Sequence, residues 1–152
     1  PAKLYDEPVN TFVASFIGTP SMTLVDAELA REGGRLALHL GGSVFDLPVG
    51  FVAVPVEGVR KVTLGIRPEN IVLGGGDAAA TVRLVEPTGH ESIVTLDIAG
   101  RPVIARAPGD TALRIGETVK FDLRRDRLHL FDRDGGKRLN ADHEQASNAH
   151  AA

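Results

Sequence analysis

The chain has 152 residues, a formal net charge of -3 at pH 7 and no cysteine. This length suits one domain or two small interleaved ones, and the lack of cysteine excludes disulfides, thiolate chemistry and cysteine zinc sites. The negative charge gives no basic footprint for nucleic acid or an anionic membrane, and no apolar run approaches the roughly 18 residues of a membrane-spanning helix.

The first 20 residues have a helical pattern. Pro8 suits the first turn of a helix, and Gly18 and Pro20 end it. One apolar stripe at helical spacing is formed by Val9, Phe12, Val13, Phe16 and Ile17. Because such a short helix is marginal in water by itself, the stripe needs a partner surface. That surface is either the following strands or a structure on the N-terminal side, outside this chain.

Period-two alternation begins at Met22 and predicts a series of short strands. They lie at residues 23–31, 35–40, 43–47, 61–67, 71–73, 80–86, 92–98, 102–107, 119–123 and 128–131. Glycines at 74–76 predict a turn between two of these strands, and the last two strands are predicted to form a hairpin across residues 124–127. Residues 48–55 carry a proline at each end, which is typical of an edge or irregular segment. Many short strands with Gly and Pro turns favour a small barrel over a sandwich.

Residues 64–71, Leu-Gly-Ile-Arg-Pro-Glu-Asn-Ile, predict a strand that runs into a tight turn. Arg67 precedes Pro68, so its backbone is biased to an extended conformation and the strand ends there. Pro68 suits the first position of a helical turn, and Glu69 then meets exposed backbone N–H groups. An ion pair between Arg67 and Glu69 across this turn would contribute roughly 0–1 kcal/mol. The stretch is either a structural corner or a recognition loop, and the local sequence fits both.

No group of residues has the spacing of a known catalytic or metal site. The glycines at 74–76 are not followed by the Lys-Ser/Thr of a phosphate loop. The five histidines lack a metal-ligand spacing, and His39 and His129 are predicted to lie on exposed strand faces. Glu86 and Glu91 could meet across one hairpin, but nothing predicts the deep cleft that a catalytic carboxylate pair needs. The chain is therefore predicted not to be an enzyme.

Four segments resemble one known family. Residues 4–18 resemble the segment that follows the nucleotide-binding domain in ATP-binding subunits of sugar-importing ABC transporters. Residues 64–71 resemble the Gly-Ile/Val-Arg-Pro-Glu motif of their C-terminal domain, residues 85–91 its Val-Glu-x-x-Gly-x-Glu turn, and residues 128–132 its closing Leu-His-Leu-Phe strand. The four occur in family order at family-like spacing. The chain is thus similar to the TOBE or regulatory domain of the maltose and glycerol-3-phosphate importer ATPases.

The resemblance implies a mainly β fold with a short N-terminal amphipathic helix. Its strands would form an OB-type β-barrel, either single or divided into two interleaved sub-barrels. The implied domains are a linker helix from a missing ATPase domain at residues 1–20 and a regulatory barrel at residues 21–135. Residues 136–152, whose apolar content is mostly alanine, are predicted to be a disordered tail.

The resemblance also implies roles for particular residues. Its two turns make candidate regulatory or interface residues of Arg67, Pro68, Glu69, Glu86, Gly89 and Glu91. The linker helix would pack through Phe12, Val13, Phe16 and Ile17. Phe131 on the closing strand is either an exposed aromatic at a subunit contact or an ordinary core residue, and alternation alone fits both.

The function implied by the resemblance is that of a non-catalytic regulatory and dimerisation domain. The parent would be the ATP-binding subunit of an importer for sugars or glycerol 3-phosphate, cytoplasmic and peripheral at the inner face of the cell membrane. The fragment would hold no cofactor, since ATP and Mg belong to the missing domain. Its partners would be a second copy of itself, the missing ATPase domain, the permease, and a regulatory protein or small effector.

Two other functions compete with this one. A small-ligand module for an oxyanion or sugar phosphate would use Arg67 and the backbone N–H groups of the Gly-rich turns. Nucleic-acid binding is disfavoured by the net charge and the few aromatic residues in the strands. The basic cluster at residues 124–127 is interspersed with Asp122 and Asp126, which is typical of a solvated hairpin.

Overall fold

The computed structural model describes residues 5–16 and 21–142, without the side chains of Ser15 and Phe16. Helix α1 spans Thr11–Phe16, and the strands are β1 Thr23–Glu32, β2 Arg35–Leu40, β3 Ser43–Leu47, β4 Val59–Ile66, β5 Ile71–Pro87, β6 Glu91–Ile98, β7 Arg101–Pro108, β8 Thr118–Leu123 and β9 His129–Asp132. Single 3₁₀ turns lie at Pro68–Asn70 and Arg125–Arg127. The predicted mainly β fold is confirmed.

The strands form two antiparallel sheets. One sheet has the order β3-β2-β1-β4-β9, and the other has the order β7-β6-β5-β8. Within the described part of the chain both sheets are open, and their strand pairing does not close a single barrel. Residues of both sheets share one hydrophobic core, in which Leu29, Leu38 and Leu64 from the first sheet join Leu96 and Phe121 from the second. The sheets therefore pack against each other through their alternating apolar faces.

Strand β5 runs through the glycines that were predicted to form a turn, so that prediction is wrong. Leu73 and Ala78 both pair with Phe121 of β8, which leaves residues 74–77 as a bulge within one continuous strand. Gly76 has a φ of +76°. A Cβ atom on it would lie 2.6 Å from the Phe121 carbonyl oxygen. Glycine here permits the bulge and the close approach of β8, rather than ending the strand.

The predicted hairpin between β8 and β9 is also wrong. β8 pairs with β5 in the second sheet, whereas β9 pairs with β4 in the first, with Leu64 opposite Leu130. The 3₁₀ turn Arg125–Arg127 carries the chain from one sheet to the other. Both strands have a face to bury in the shared core. Pairing in different sheets places each against a longer neighbour.

Residues 136–142 are part of the fold, so the prediction of disorder from residue 136 is wrong for them. Leu139 is 3% exposed in the core. Its N–H donates to the Leu130 carbonyl at 2.8 Å, and Asn140 bridges to Val52 in the irregular segment after β3. Residues 136–142 are held by isolated hydrogen bonds to the edge of the sheet, and such bonds leave no periodic pattern in the sequence. Residues 143–152 lie outside the described residues.

Asn140→Ala is expected to lower the free energy of unfolding by about 1–3 kcal/mol, because it leaves buried backbone groups without partners. Asn140 Oδ1 accepts from the Leu130 N–H at 2.7 Å, and its Nδ2 donates to the Leu128 carbonyl at 3.0 Å. Urea unfolding measures the change. Lys137→Ala removes an exposed side chain nearby and should change stability by less than about 0.5 kcal/mol. Equal stability of the two variants would show that Asn140 does not complete the edge of β9.

Helix α1 is capped by Asn10 and faces the sheets with a small residue. Asn10 Oδ1 accepts from the Val13 N–H at 2.9 Å, as an N-cap does. Ala14 is 0% exposed and packs against Met22 and Phe131. The helix can therefore lie close to the first sheet.

The predicted apolar stripe does not lie on the strands along its whole length. Phe12 is 70% exposed and Val9 is 55% exposed, whereas Val13 is half-buried. Most of the Phe12 side chain is therefore not buried against the strands, and the partner surface of the stripe stays a prediction. The side chain of Phe16 and all of Ile17 lie outside the described residues.

Candidate functional site

The corner between β4 and β5 has the backbone that its sequence predicts. Arg67 is extended, with φ -76° and ψ 142°, and Pro68 begins the 3₁₀ turn. The Asn70 N–H donates to the Arg67 carbonyl at 3.0 Å, and the Arg124 N–H donates to the Asn70 carbonyl at 2.9 Å. The turn is thereby attached to the end of β8 and placed between the two sheets.

Arg67 is a buried cation beneath Tyr5. It is 2% exposed, and its Nη2 donates to the Tyr5 carbonyl at 3.1 Å. Its Cζ lies 4.0 Å from the centroid of the Tyr5 ring, which is a cation–π contact. Burial lowers the pKa of Arg67, while the charges of Tyr5, Glu69 and Asp6 oppose that shift. The Arg67 guanidinium therefore joins the β4–β5 corner to the N-terminal segment, which lies 62 positions earlier in the sequence.

Glu69 and Arg67 meet through Tyr5. The Tyr5 hydroxyl donates to Glu69 Oε2. Glu69 Oε1 lies 3.9 Å from Arg106 Nη1 on β7, and Arg106 Nε lies 3.6 Å from Glu91 Oε1 on β6. We call Tyr5, Arg67, Glu69, Arg106 and Glu91 the corner network. It joins three of the predicted site residues, Arg67, Glu69 and Glu91, from two separate turns.

The pKa values of Tyr5 and Glu69 reflect their contact. Burial raises the pKa of Tyr5, and the hydrogen bond to Glu69 and the negative charge of Glu69 raise it further. The positive charges of Arg67 and Arg106 lower this pKa, but they do not outweigh the other causes. Burial raises the pKa of Glu69, but the Tyr5 hydrogen bond, a backbone hydrogen bond and the two arginine charges outweigh it, so this pKa is lowered. Both groups thus favour the state in which a neutral phenol donates to a carboxylate.

The remaining residues of the second turn lie apart from the corner network. Glu86 is exposed on β5 opposite Ile93, and Glu91 pairs with Arg106 rather than meeting Glu86. Gly89 has a φ of +104°, which favours glycine at this turn. The turn is closed by the Thr88 N–H, which donates to the Glu91 carbonyl at 2.8 Å. Gly89 therefore has a backbone role.

Gly109→Ala is expected to lower the free energy of unfolding by about 1–3 kcal/mol through overpacking. A Cβ atom on Gly109 would lie 2.8 Å from the Gly89 carbonyl oxygen and 3.1 Å from that of His90. These are backbone atoms, so relief requires the β5–β6 turn to move. Gly42→Ala is the matched control for urea unfolding, since a Cβ there meets no heavy atom within 4 Å. A Gly109→Ala variant as stable as the control would contradict the close approach of these turns.

His129 is buried, and the prediction that it lies on an exposed face is wrong. It is 6% exposed, and its Nδ1 lies 2.9 Å from Arg138 Nη1, which can only donate. Burial lowers the pKa of His129 to about 3, with Arg138 and Arg67 contributing in the same direction. Arg138 Nη1 also donates to the Pro8 carbonyl at 3.4 Å. β9 is thus covered on both faces, which alternation along one strand does not reveal.

Phe131 is a core residue and not an exposed contact. It is 0% exposed and packs with Ala14 and Met22. A Cβ atom on Gly65 would lie 3.2 Å from Cε2 of the Phe131 ring, so the glycine of the corner stretch leaves room for this aromatic. Of the two alternatives, the structure supports core packing.

Sequence reasoning missed Tyr5, Arg106 and Arg138. Each lies in an unremarkable local context and acquires its contacts only through the tertiary structure. In the described ranges, no three His, Asp or Glu side chains are grouped to hold a metal ion. Helices long and apolar enough to cross a membrane are not found in residues 5–16 and 21–142.

Two family profiles match adjacent parts of the chain. Residues 18–71 match the MalK OB fold domain, and residues 64–131 match the TOBE domain. The two matches share residues 64–71, the corner stretch. The sequence-based assignment of this stretch as a family marker is confirmed.

Curated relatives match nearly the whole chain. An ABC transporter ATP-binding protein of Sinorhizobium fredii is 39% identical over 145 residues, which cover 91% of this chain and 37% of the relative. The alpha-glucoside transport ATP-binding protein of Rhizobium meliloti is 32% identical over 143 residues, 89% of this chain and 38% of the relative. The sn-glycerol-3-phosphate import ATP-binding protein of Cupriavidus pinatubonensis is 33% identical over 153 residues, 93% of this chain and 41% of the relative.

The chain thus spans about two fifths of the length of these relatives. The two profiles together cover residues 18–131, and the same region carries both sheets and the corner. The chain belongs to the family of MalK-type OB-fold and TOBE domains of ABC importer ATP-binding proteins.

Proposed function

We propose that this chain is the non-catalytic regulatory and self-pairing domain of an ABC importer ATP-binding subunit. The parent subunit would carry its ATPase domain on the N-terminal side of α1, import sugars or glycerol 3-phosphate, and lie at the cytoplasmic face of the membrane beneath a permease. The names of the relatives support this parentage. The sequence supports the non-catalytic role, since it contains no Gly-rich Lys-Ser/Thr phosphate loop for ATP.

The observation that carries the proposal is the firm attachment of the N-terminal segment to the sheets. The Thr11 N–H donates to the Gly136 carbonyl at 3.1 Å, and the Arg138 N–H donates to the Val9 carbonyl at 3.1 Å. Ala14 is fully buried beneath them. A domain attached ahead of α1 would therefore move together with the sheets, as a regulatory domain requires.

The exposed side of this segment fits the same proposal. Phe12 and Val9 present apolar surface at the end of the chain where the ATPase domain would be attached. Packing of that domain on these side chains would bury them. An effector or regulatory protein would then act only through different affinities for the two arrangements of the paired subunits.

Sedimentation of the full-length subunit tests self-pairing. Without nucleotide, the full-length subunit is expected to be a dimer, and the same subunit without residues 21–142 is expected to be a monomer. Gly42→Ala in the full-length subunit is the control for a harmless change within the domain. A monomeric full-length subunit, or a dimer that persists after the deletion, would contradict the proposed pairing role.

The small-ligand alternative receives no support from the geometry. This alternative was predicted to bind the oxyanion through Arg67 and the backbone N–H groups of the Gly-rich turns. Arg67 is 2% exposed and in contact with Tyr5. Calorimetry with glycerol 3-phosphate, molybdate and sulfate is expected to give no binding heat. Saturable heat that is lost in an Arg67→Lys variant would reinstate this alternative.

A further inference from the structure

The N-terminal segment is attached at two distinct places. The inner attachment consists of the backbone hydrogen bonds of Thr11 and Val9 to residues 136–138, above the buried Ala14. The outer attachment is made four residues before Val9, by Tyr5 at the β4–β5 corner. The two attachments differ in chemistry, so they need not open together.

The outer attachment joins a partly exposed tyrosine to a buried arginine and an exposed glutamate. Tyr5 is partly exposed, and it contacts Arg67 with its ring and carbonyl and Glu69 with its hydroxyl. Glu69 is itself exposed. Local openings in proteins begin where few apolar groups are buried and hydrogen bonds meet solvent. The exposed hydrogen bond between Tyr5 and Glu69 fits this description, and the inner attachment over Ala14 does not.

We propose that Tyr5 is a strap that opens and closes over the β4–β5 corner while α1 remains anchored to the sheets. In the closed state Tyr5 covers Arg67 and holds Glu69 beside Arg106. In the open state the Arg67 guanidinium is uncovered, and Glu69 is free to pair fully with Arg106. Because Arg106 also faces Glu91, opening of the strap would change the ion pairs of Arg106 and thereby affect the β5–β6 turn.

This inference concerns the chain alone and does not depend on the proposed function. Within that function, the strap would respond to a pull on the segment ahead of α1. Failure of the self-pairing experiment would leave the strap intact, and failure of the strap experiment would leave the pairing role intact.

Tyr5 is the single tyrosine of the chain, and there is no tryptophan, so its emission and absorbance report directly on the strap. Hydrogen bonding of a phenol to a carboxylate quenches tyrosine emission and opposes ionisation of the phenol. The charged groups that influence Tyr5 are Glu69, Arg67 and Arg106. Wild type is expected to be dim, and its Tyr5 absorbance should titrate at a higher pH than that of the unfolded chain.

Glu69→Gln removes the anionic acceptor with little change in shape. Tyr5 in this variant is expected to be brighter and to titrate at a lower pH than in wild type. Glu86→Gln, an exposed carboxylate on β5, is the matched control and should retain the wild-type emission and titration. Identical emission and titration in wild type and Glu69→Gln would overturn the strap. If Glu69→Gln does not fold, Glu69→Asp shortens the same carboxylate and is read in the same way.

Amide hydrogen exchange tests whether α1 stays anchored. In Glu69→Gln, the Thr11 and Arg138 amides, which donate to backbone carbonyls, are expected to keep their wild-type protection. Loss of protection at these amides together with the change at Tyr5 would show a single attachment that opens as one unit. That result would overturn the proposal of a separate strap.

Discussion

Lowering the pH from about 6.5 towards 3 is expected to destabilise this chain by about 1.4 kcal/mol per pH unit through His129. The pKa of His129 is lowered from 6.5 to about 3 in the folded state, first by burial and then by Arg138 and Arg67. Between these values the unfolded state binds more protons than the folded state, so stability falls as pH falls. The full effect is on the order of 4 kcal/mol, which is a large part of a typical domain's stability.

Urea unfolding at a series of pH values measures this loss. His129→Gln retains an acceptor for Arg138 and cannot titrate, so it should lose the dependence that His129 causes. His90→Gln, in an exposed turn, should retain it. Glu69 and Asp97 have lowered pKa values, from ordinary values of 4.5 and 3.8, so their contributions are lost at lower pH. The comparison between pH 6.5 and 5 therefore separates the effect of His129 from that of these two carboxylates. Equal slopes of stability against pH in wild type and His129→Gln would contradict the burial of His129.

Arg67→Ala is expected to lower the free energy of unfolding by about 2–4 kcal/mol, because it creates a cavity and removes a charged hydrogen bond. The Tyr5 carbonyl loses its donor, and the Tyr5 ring loses the guanidinium that lies 4.0 Å from its centroid. Arg67→Lys keeps the charge but not the planar group that stacks on a ring, and should lie between Arg67→Ala and wild type.

Arg31→Ala is the matched control for the loss of an arginine. Arg31 is exposed at the end of β1, so its replacement should change stability by less than about 0.5 kcal/mol. The midpoint of urea unfolding gives the comparison, provided that the denaturant slope is unchanged. An Arg67→Ala variant as stable as Arg31→Ala would show that the corner does not depend on its buried cation.

Local sequence patterns predicted the strands well where one face of a strand is buried. β6 alternates as expected, with Val94, Leu96 and Ile98 facing the core. The strand-to-turn corner at residues 64–71 was predictable because Pro68 constrains both its own backbone and that of Arg67. These features depend on residues that are neighbours in the sequence, so one sequence is enough to predict them.

The errors arose where contacts are distant in sequence. The glycines at 74–76 have the composition of a turn, but β8 lies beside them and makes a bulge. β8 and β9 are close in sequence but belong to different sheets. His129 alternates as an outward residue, yet Arg138 covers its outer side. The presence of a partner on the second face of a strand has no local signal.

The candidate site was predicted in part for the same reason. Arg67, Glu69 and Glu91 were identified through the two family turns, but the residues that join them, Tyr5 and Arg106, were not. The Tyr5–Arg67 contact spans 62 positions and depends on where the N-terminal segment lies. Phe12 illustrates the converse, since it lies in helix α1 as its periodicity predicts and yet is 70% exposed.

Phosphate release from Mg-ATP is the most direct measurement of the central claim, that this chain is a regulatory domain without catalytic activity. The chain alone is expected to release no phosphate above the protein-free blank. A full-length subunit without residues 21–142, assembled with its permease, is expected to keep hydrolysing ATP. Phosphate release by the chain alone, or complete loss of hydrolysis in the assembled deletion variant, would contradict the account.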